Sequence, residues 1–324
     1  MSETTSSTAS VEQTAVQQTE QAIERVTLSI DPQALKMTED VLGTQRAEIG
    51  QRIQATKDRR ISAETQQQEA ALAVQETATM AKMATARTAA LRENLMWKAD
   101  LETGNLSQWS GKGDFLRQGS GMYNLITFAH GGQFAVSLTI DTNAPSETES
   151  HAAYLFFWNQ LPENAYYYSA WYFIPTYVDV QDWWTIMQWK STYDRDPNHS
   201  IRVFSVSVQD TQDGLRLALN QRPRANEEDN NNVIYTQRIK PLPISQWFQI
   251  EAFYLRGEDN AGQVILWQDG VELYNLQGVT TVFSDRTIYW SVHNYSTHLK
   301  PSPFSIYIDD VAISKIQVGD RPLP

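Results

Sequence analysis

Polar and aromatic side chains alternate with apolar ones between residues 287 and 295. Because successive residues of a strand point to opposite faces, one face there is polar: Tyr289, Ser291, His293 and Tyr295. The opposite face is apolar: Ile288, Trp290 and Val292. Phenol, hydroxyl and imidazole groups exchange hydrogen bonds, and aromatic rings offer flat apolar surfaces. A sugar presents an apolar C–H face and a rim of hydroxyls, so this face is expected to line a carbohydrate groove.

The same alternation predicts further groove residues on other strands. Gln188 and Lys190 share a face opposite Met187 and Trp189. If the polar faces of several strands converge, the groove holds eight side chains: Gln188, Lys190, Arg202, Arg216, Asn220, Tyr289, His293 and Tyr295. The alternative is a solvated sheet face that carries ordinary charges.

The dipeptide Trp183-Trp184 follows an acidic loop and stands at the start of a predicted strand. Adjacent strand residues face opposite ways, so one ring is expected in the core and the other in the groove. Trp184 is the candidate sugar platform. Most other aromatic residues are expected to fill the core, because their large apolar area stabilises it.

Period-two patterning continues from Trp97 to the end of the chain, with turn residues between the apolar runs. Strands are predicted at 134–140, 152–158, 167–174, 185–190, 201–208, 215–221, 248–254, 263–268, 271–276, 286–295 and 305–314. Asp269-Gly270 joins two of them with the signature of a type I′ hairpin turn. Many short strands with almost no helix indicate an all-β fold, an antiparallel sandwich of the jelly-roll kind.

Composition divides the chain near residue 96. The chain has 324 residues and a formal charge of −12, with ten Trp, 14 Tyr and 11 Phe, none of them before Trp97. We therefore expect a low-complexity polar tail over 1–30, a helical stalk over 31–95 and a folded domain over 96–324. The charge of −12 divides into −3 over 1–95 and −9 over the rest.

The first segment is rich in Ser, Thr, Gln and Glu and is expected to be disordered alone. Asp31-Pro32 is a suitable helix start, and Ala, Gln and Glu favour helix beyond it. Apolar residues recur at seven- and four-residue steps: Leu42, Ile49, Ile53, Ala70, Val74, Ala78 and Ala81. Two interpretations stay open, a solvated helical linker and a stalk that self-associates or docks to a protein assembly.

Composition also excludes several classes of protein. The chain has no cysteine, which excludes disulfide scaffolds, Cys-ligated zinc and a cysteine nucleophile. The acidic balance argues against nucleic-acid binding, and no apolar run is long enough to span a membrane. The N-terminus lacks a classical secretion signal. We expect a location on a virion or other particle surface, non-classical export, or otherwise the cytoplasm.

Four segments resemble the concanavalin A-like jelly rolls of the heparin lyase I-type polysaccharide lyase family. They are Asp100–Gly104 with Trp109, Tyr167–Pro175 with Trp184–Ser191, Trp247–Tyr254 with Gly262–Gly270, and Tyr289–Tyr295 with Ile306–Ile313. The resemblance covers roughly residues 97–316 and none of the N-terminal region. It implies a jelly-roll fold and cleavage of uronic-acid polysaccharides by β-elimination.

The resemblance also implies site residues. In the family, a Gln-Trp-His run neutralises the uronate and supplies a base, and here the run is Gln188-Trp189-Lys190. The late strand of the family carries a Lys and a Tyr, which correspond to Ser291 and Tyr295. Lys190 could act as the base if burial lowers its pKa, and His293 could substitute for it. No cofactor is required, but Glu102 and Asp309 or Asp310 could hold a structural Ca²⁺.

Three functions follow from these observations. The leading hypothesis is a glycan-binding head, derived from a lyase, that the N-terminal stalk attaches to a larger assembly. Its partner would be a polysaccharide or a cell-surface glycan. The first alternative is an active polysaccharide lyase, and the second is a purely structural decoration protein.

Overall fold

The structure, a computed structural model, describes residues 40–51, 63–109, 115–192, 200–222, 232–283, 287–319 and 323. The chain divides into two compact units, one that ends at Asn94 and one that runs from Leu95 to Leu323. The expected helix start at Asp31-Pro32 and the tail over 1–30 lie outside the described residues. None of the helical segments in the described ranges combines the length and apolar composition that a bilayer span requires.

The residues that the structure describes before Leu95 form two helical segments. Residues 40–51 are helical, and a 32-residue helix extends over Ala63–Asn94. Four threonine hydroxyls of the long helix donate hydrogen bonds to the backbone carbonyl four residues earlier, with O···O distances of 2.7–2.9 Å. These residues are Thr77, Thr79, Thr85 and Thr88. These bonds keep the hydroxyls satisfied within the helix. Leu72 and Val74 remain 55% and 70% exposed.

The described residues from Leu95 onward contain seventeen strands. They are β1 (Leu95–Ala99), β2 (Phe115–Gln118), β3 (Met122–Ile126), β4 (Ala135–Ile140), β5 (His151–Phe157), β6 (Ala165–Phe173), β7 (Asp179–Val180), β8 (Trp184–Ser191), β9 (Ile201–Thr211), β10 (Gly214–Gln221), β11 (Val233–Tyr235), β12 (Trp247–Leu255), β13 (Gly262–Gln268), β14 (Val271–Val279), β15 (Ile288–Ser296), β16 (Leu299–Lys300) and β17 (Phe304–Ser314). Every predicted strand occurs within three residues of its expected bounds. The strands that the sequence did not predict are short: β1, β2, β3, β7, β11 and β16.

The strands form an antiparallel jelly-roll sandwich, as predicted. One sheet has the order β14-β13-β12-β6-β17-β4-β3, with β1 also paired to β17, and the other has the order β11-β10-β9-β8-β15-β5-β2. Strands β7 and β16 form a separate two-stranded ribbon. The predicted hairpin turn is confirmed, because Asp269 and Gly270 both adopt positive φ angles, 46° and 72°.

Aromatic side chains fill the space between the two sheets. Trp189 of the seven-stranded sheet stacks on Tyr254 of the eight-stranded sheet at 4.8 Å between ring centroids. The buried phenols keep their hydrogen bonds: Tyr172 donates to the Ile186 carbonyl and Tyr274 to the Leu217 carbonyl, both at 3.0 Å. This packing leaves the outer face of the seven-stranded sheet to the polar residues of its strands.

Candidate functional site

The outward side of strands β5, β8, β9 and β15 carries a continuous set of polar side chains, which we call the polar face. Its members are Tyr154, Thr185, Gln188, Lys190, Arg202, Ser205, Tyr289, Ser291, His293 and Tyr295. Alternation explains the set, because the intervening residues Met187, Trp189, Trp290 and Val292 belong to the core. The predicted faces of Gln188, Lys190 and the residues of β15 agree with this arrangement.

Strand register brings several members of the polar face side by side. Gln188 pairs with Ser291 on one side and with Ser205 on the other. Lys190 lies in the same way between Tyr289 and Arg202. These residues come from three segments that are far apart in the sequence, and only sheet pairing makes them neighbours.

Lys190 and Arg202 place two cations on the polar face. Burial lowers the pKa of Lys190, and burial followed by the nearby charge of Arg222 lowers the pKa of Arg202. The Lys190 ammonium lies 5.9 Å from the ring centroid of Phe156. Arg202 donates to the Asn232 side-chain oxygen at 2.6 Å and to the Ser205 hydroxyl at 3.3 Å.

Tyr295 is half-buried on the polar face, and it contacts a second tyrosine. Its ring centroid lies 5.3 Å from that of Tyr154. Burial, the nearby Tyr295 phenol and a hydrogen bond to it raise the pKa of Tyr154 well above its usual value. Both phenols lie close enough to Arg202 to influence the pKa of its guanidinium. The sequence analysis did not include Tyr154 in the groove. The alternation of Tyr154, Phe156 and Trp158 along predicted strand 152–158 indicates that these three aromatic residues share one face of the sheet.

His293 is fully buried beneath the polar face, so the idea that it substitutes as a base for substrate is wrong. Its Nδ1 lies 3.1 Å from the Ser291 hydroxyl, and its Nε2 lies 3.1 Å from the Thr185 hydroxyl. Burial, with a smaller contribution from the charge of Lys190, holds its pKa well below 6.5. Both ring nitrogens are occupied and the ring is 0% exposed, which leaves no path for a proton from a bound sugar.

Trp183, rather than Trp184, faces the groove. Trp184 is fully buried and donates its indole N–H to the Asn294 side-chain oxygen at 2.9 Å, which contradicts its prediction as a sugar platform. Trp183 is half-buried and packs edge-on against Tyr295 at 4.5 Å between ring centroids. Tyr289 is also more buried than predicted, at 4% exposure, with its ring 5.1 Å from that of Trp158.

Arg216 does not join Lys190 and Arg202. It pairs with Gln209, seven residues beyond Arg202 on β9, which corresponds to about 20 Å along the strand. Its guanidinium faces Asp213 at 3.9 Å. The prediction that all polar faces converge is therefore wrong for Arg216, because both arginines point outward but lie at opposite ends of their strands.

Asn220 lies beside a pocket of about 400 Å³ at one end of the polar face. It pairs with Ser205, which in turn pairs with Gln188, so Asn220 is two strands, or about 10 Å, from Gln188. The pocket is lined by Val180, Asp182, Trp183, Trp184, Ser207, Val208, Gln209, Asp210, Asn220 and Ile234.

The three carboxylates predicted to hold Ca²⁺ converge on one loop. Glu102 accepts the backbone N–H groups of Gln133 and Phe134 at 2.8 and 2.9 Å. The Asp309 carboxylate accepts a hydrogen bond from the backbone N–H of His130 at 2.8 Å. The Asp310 Oδ2 lies 2.8 Å from the Nδ1 of the His130 ring. Burial and the charge of Asp310 raise the pKa of Asp309 to about 7. The described residues contain no group of three or more His, Cys, Asp or Glu side chains arranged to hold a metal.

Comparisons with known proteins agree with this fold. A family described as Polysaccharide lyase matches residues 97–312. The endo-β-1,4-glucuronan lyase of the fungus Trichoderma reesei superposes with a TM-score of 0.55 at 15% identity, over 68% of this chain and 95% of that one. A marine PL-14 alginate lyase from Aplysia kurodai gives a TM-score of 0.47 at 10% identity, over 68% and 98%. No curated protein sequence is similar enough to be a relative.

Proposed function

Because the chain belongs to the polysaccharide lyase family, we propose that the polar face binds a uronate-containing polysaccharide and cleaves it by β-elimination. One observation carries this proposal. Lys190, whose pKa burial lowers, lies beside Arg202 on one outward sheet face, and Tyr154 and Tyr295 of the same face both influence the pKa of that arginine. Assignment to the heparin lyase I type in particular stays a prediction.

Binding of the uronate depends on positive charge and hydrogen bonds. Arg202 and the Gln188 amide are suited to hold the sugar carboxylate, since one offers charge and the other an N–H donor. Neutralising that carboxylate lowers the pKa of the proton on the adjacent carbon, because the negative charge that develops there spreads into it. The cations of the polar face also give the acidic chain a locally basic surface for an acidic polymer.

The chemical step needs a base and an acid. The Lys190 amine, in its neutral form, takes the proton from the carbon next to the carboxylate. The electrons of that C–H bond form a double bond to the neighbouring carbon, whose bond to the glycosidic oxygen breaks. Tyr295 gives its hydroxyl proton to the leaving oxygen. Burial favours this assignment because it increases the neutral fraction of Lys190 at a given pH.

The test is to incubate the full chain with a panel of uronate polymers and follow the ultraviolet absorbance of the unsaturated product. We expect absorbance to rise with at least one polymer, and to be lost in Lys190→Met and Tyr295→Phe. Binding of the polymers without any rise in absorbance would overturn the lyase proposal.

That same outcome would favour the second candidate, a glycan-binding head without chemistry. Two observations support this candidate: Ser291 stands where the family has a lysine, and His293 is sealed from substrate. Binding would then rest on the aromatic and cationic groups of the polar face, and Lys190→Met would weaken affinity without affecting any turnover.

Attachment through the N-terminal region is also a proposal. The long helix exposes Val74, 70% accessible, on the predicted stripe with Ala70, Ala78 and Ala81, which suits packing against another helix in a self-associated stalk or a particle. The mass of the full chain in solution, measured by light scattering, tests self-association. We expect an oligomer that Val74→Glu dissociates, and a monomeric mass for the unmodified chain would contradict it.

We propose in addition that Ca²⁺ stabilises the folded domain at the loop over residues 130–134. Carboxylate oxygens are ligands that Ca²⁺ takes, and Glu102, Asp309 and Asp310 all contact this loop, although the three side chains do not form a ready ligand cluster among the described residues. Bound there, the ion would join the start of the domain to β17. The melting temperature should rise with Ca²⁺ and rise less in Glu102→Gln; an equal melting temperature with Ca²⁺ and with a chelator would contradict the site.

A further inference from the structure

The pocket beside Asn220 differs in chemistry from the cationic part of the polar face. It combines apolar surface with hydrogen-bonding groups: the half-buried Trp183 ring and Ile234, which is 54% exposed, lie with Gln209 and Asn220. The Asn220 side-chain oxygen is buried and has no hydrogen-bond partner among the described residues. An aromatic ring beside polar groups, one of them unsatisfied, matches the two faces of a sugar.

The charge of this pocket is negative. Asp182 and Asp210 both line it, and none of its described lining residues is cationic. Each carboxylate already accepts a hydrogen bond from a hydroxyl group, Asp182 from Thr297 at 2.7 Å and Asp210 from Tyr177 at 2.5 Å. Arg216 lies nearby as the strand partner of Gln209, but it is outside the lining and faces Asp213.

The polar face and the pocket therefore select different sugars. A uronate is attracted by Lys190 and Arg202, whereas its carboxylate would be repelled by Asp182 and Asp210. A sugar without a carboxylate meets no such repulsion, and its hydroxyl or amide protons can be donated to the carboxylates and to Asn220. The two regions are about 10 Å apart at Gln188 and Asn220, so one glycan chain can reach both.

We propose that this pocket is a subsite for an uncharged sugar, a hexose or N-acetylhexosamine. The preferred substrate is then a mixed polysaccharide in which uronates alternate with uncharged residues, rather than a pure polyuronate. This inference rests on the proposed function, because it takes the polar face as the place where the uronate binds.

The test measures binding, so that it does not depend on turnover. Titration calorimetry of the full chain compares a β-1,4-linked tetraglucuronate with a tetrasaccharide that alternates glucuronate and N-acetylglucosamine. We expect the alternating ligand to bind about 10-fold more tightly or better. The double variant Asp182→Asn with Asp210→Asn should bind the tetraglucuronate at least several-fold more tightly than the unmodified chain does. Its affinity for the alternating tetrasaccharide should change little. Asn keeps an acceptor for Tyr177 and Thr297.

Asp213→Asn is the matched control, because Asp213 is exposed, acidic and close by but does not line the pocket. It should leave both affinities unchanged. Equal affinities in the unmodified chain, no binding of either ligand, or no effect of the double substitution would overturn the subsite. Product formation distinguishes the two proposals. Cleavage with equal affinities for the two tetrasaccharides would support the lyase proposal and exclude the subsite. Selective binding of the alternating tetrasaccharide without cleavage would support the subsite and exclude the lyase proposal.

Discussion

Trp184 and Asn294 form a hydrogen bond of 2.9 Å inside the core, from the indole N–H to the side-chain oxygen. Asn294 also donates to the carbonyls of Leu138 and Phe304, both at 3.0 Å and both on the opposite sheet. The amide is thus fully satisfied and ties the two sheets together beneath the site. This contact fixes the start of β8 and turns the preceding Trp183 toward the groove.

Substitution of the two adjacent tryptophans should therefore have opposite consequences. Trp184→Ala should destabilise the domain by about 3–5 kcal/mol, because it leaves a cavity and an unpaired amide. Trp183→Ala should leave the denaturant midpoint nearly unchanged but weaken polysaccharide binding, since its half-buried ring lies beside Tyr295. Chemical denaturation and calorimetry measure the two effects, and a large stability loss in Trp183→Ala would contradict the assignment.

Lys190 should determine the alkaline pH dependence of cleavage. Its pKa is lowered by burial, and only the neutral amine can accept a proton, so the rate should rise with pH through a pKa below 10.5. Lys190→Arg keeps the positive charge but removes the base, and its activity should be lost over the same pH range. A pH–rate profile measures this, and an unchanged rising limb in the arginine variant would exclude Lys190 as the base.

The roles of Tyr295 and Tyr154 should be distinguishable by removing one hydroxyl at a time. Tyr295→Phe should reduce the rate about 10²–10⁴-fold, because no proton reaches the leaving oxygen. The ring remains, so its contact with Trp183 and the melting temperature should be preserved. Tyr154→Phe is the matched control, since it removes the neighbouring hydroxyl and should cost less. A greater loss in Tyr154→Phe would exchange the two roles.

His293 should make the fold sensitive to acid. Its pKa in the folded state is held well below 6.5 by burial, whereas the unfolded chain has the ordinary value of 6.5. The unfolded state therefore binds more protons below that pH, and stability should fall as pH decreases through about 6.5. In His293→Gln, the drop in melting temperature between pH 7 and pH 5 should be smaller. An equal drop would show that other groups, such as His151, dominate.

Much of the fold could be read from local patterns. Strand positions follow from period-two alternation, because side-chain direction along a strand depends only on adjacent residues. That rule placed Gln188 and Lys190 on the side opposite Trp189, and the Asp269-Gly270 dipeptide specified its own turn. The two-residue ribbon of β7 and β16 carries no such pattern, because a strand of two residues is too short to show a period.

The sequence by itself determined which way most side chains of the long strands point, but not Trp184, because the register shift between Thr185 and Met187 interrupts the alternation of β8. The tertiary structure alone decided which of these side chains meet, because neighbours are set by the register between distant strands. Register paired His293 with Tyr154 and separated Arg216 from Arg202. The tertiary structure also decided how deeply each side chain is buried. His293 points outward as predicted, but it is enclosed between Ser291 and Thr185. Its burial, rather than its residue type, therefore excludes it as the base.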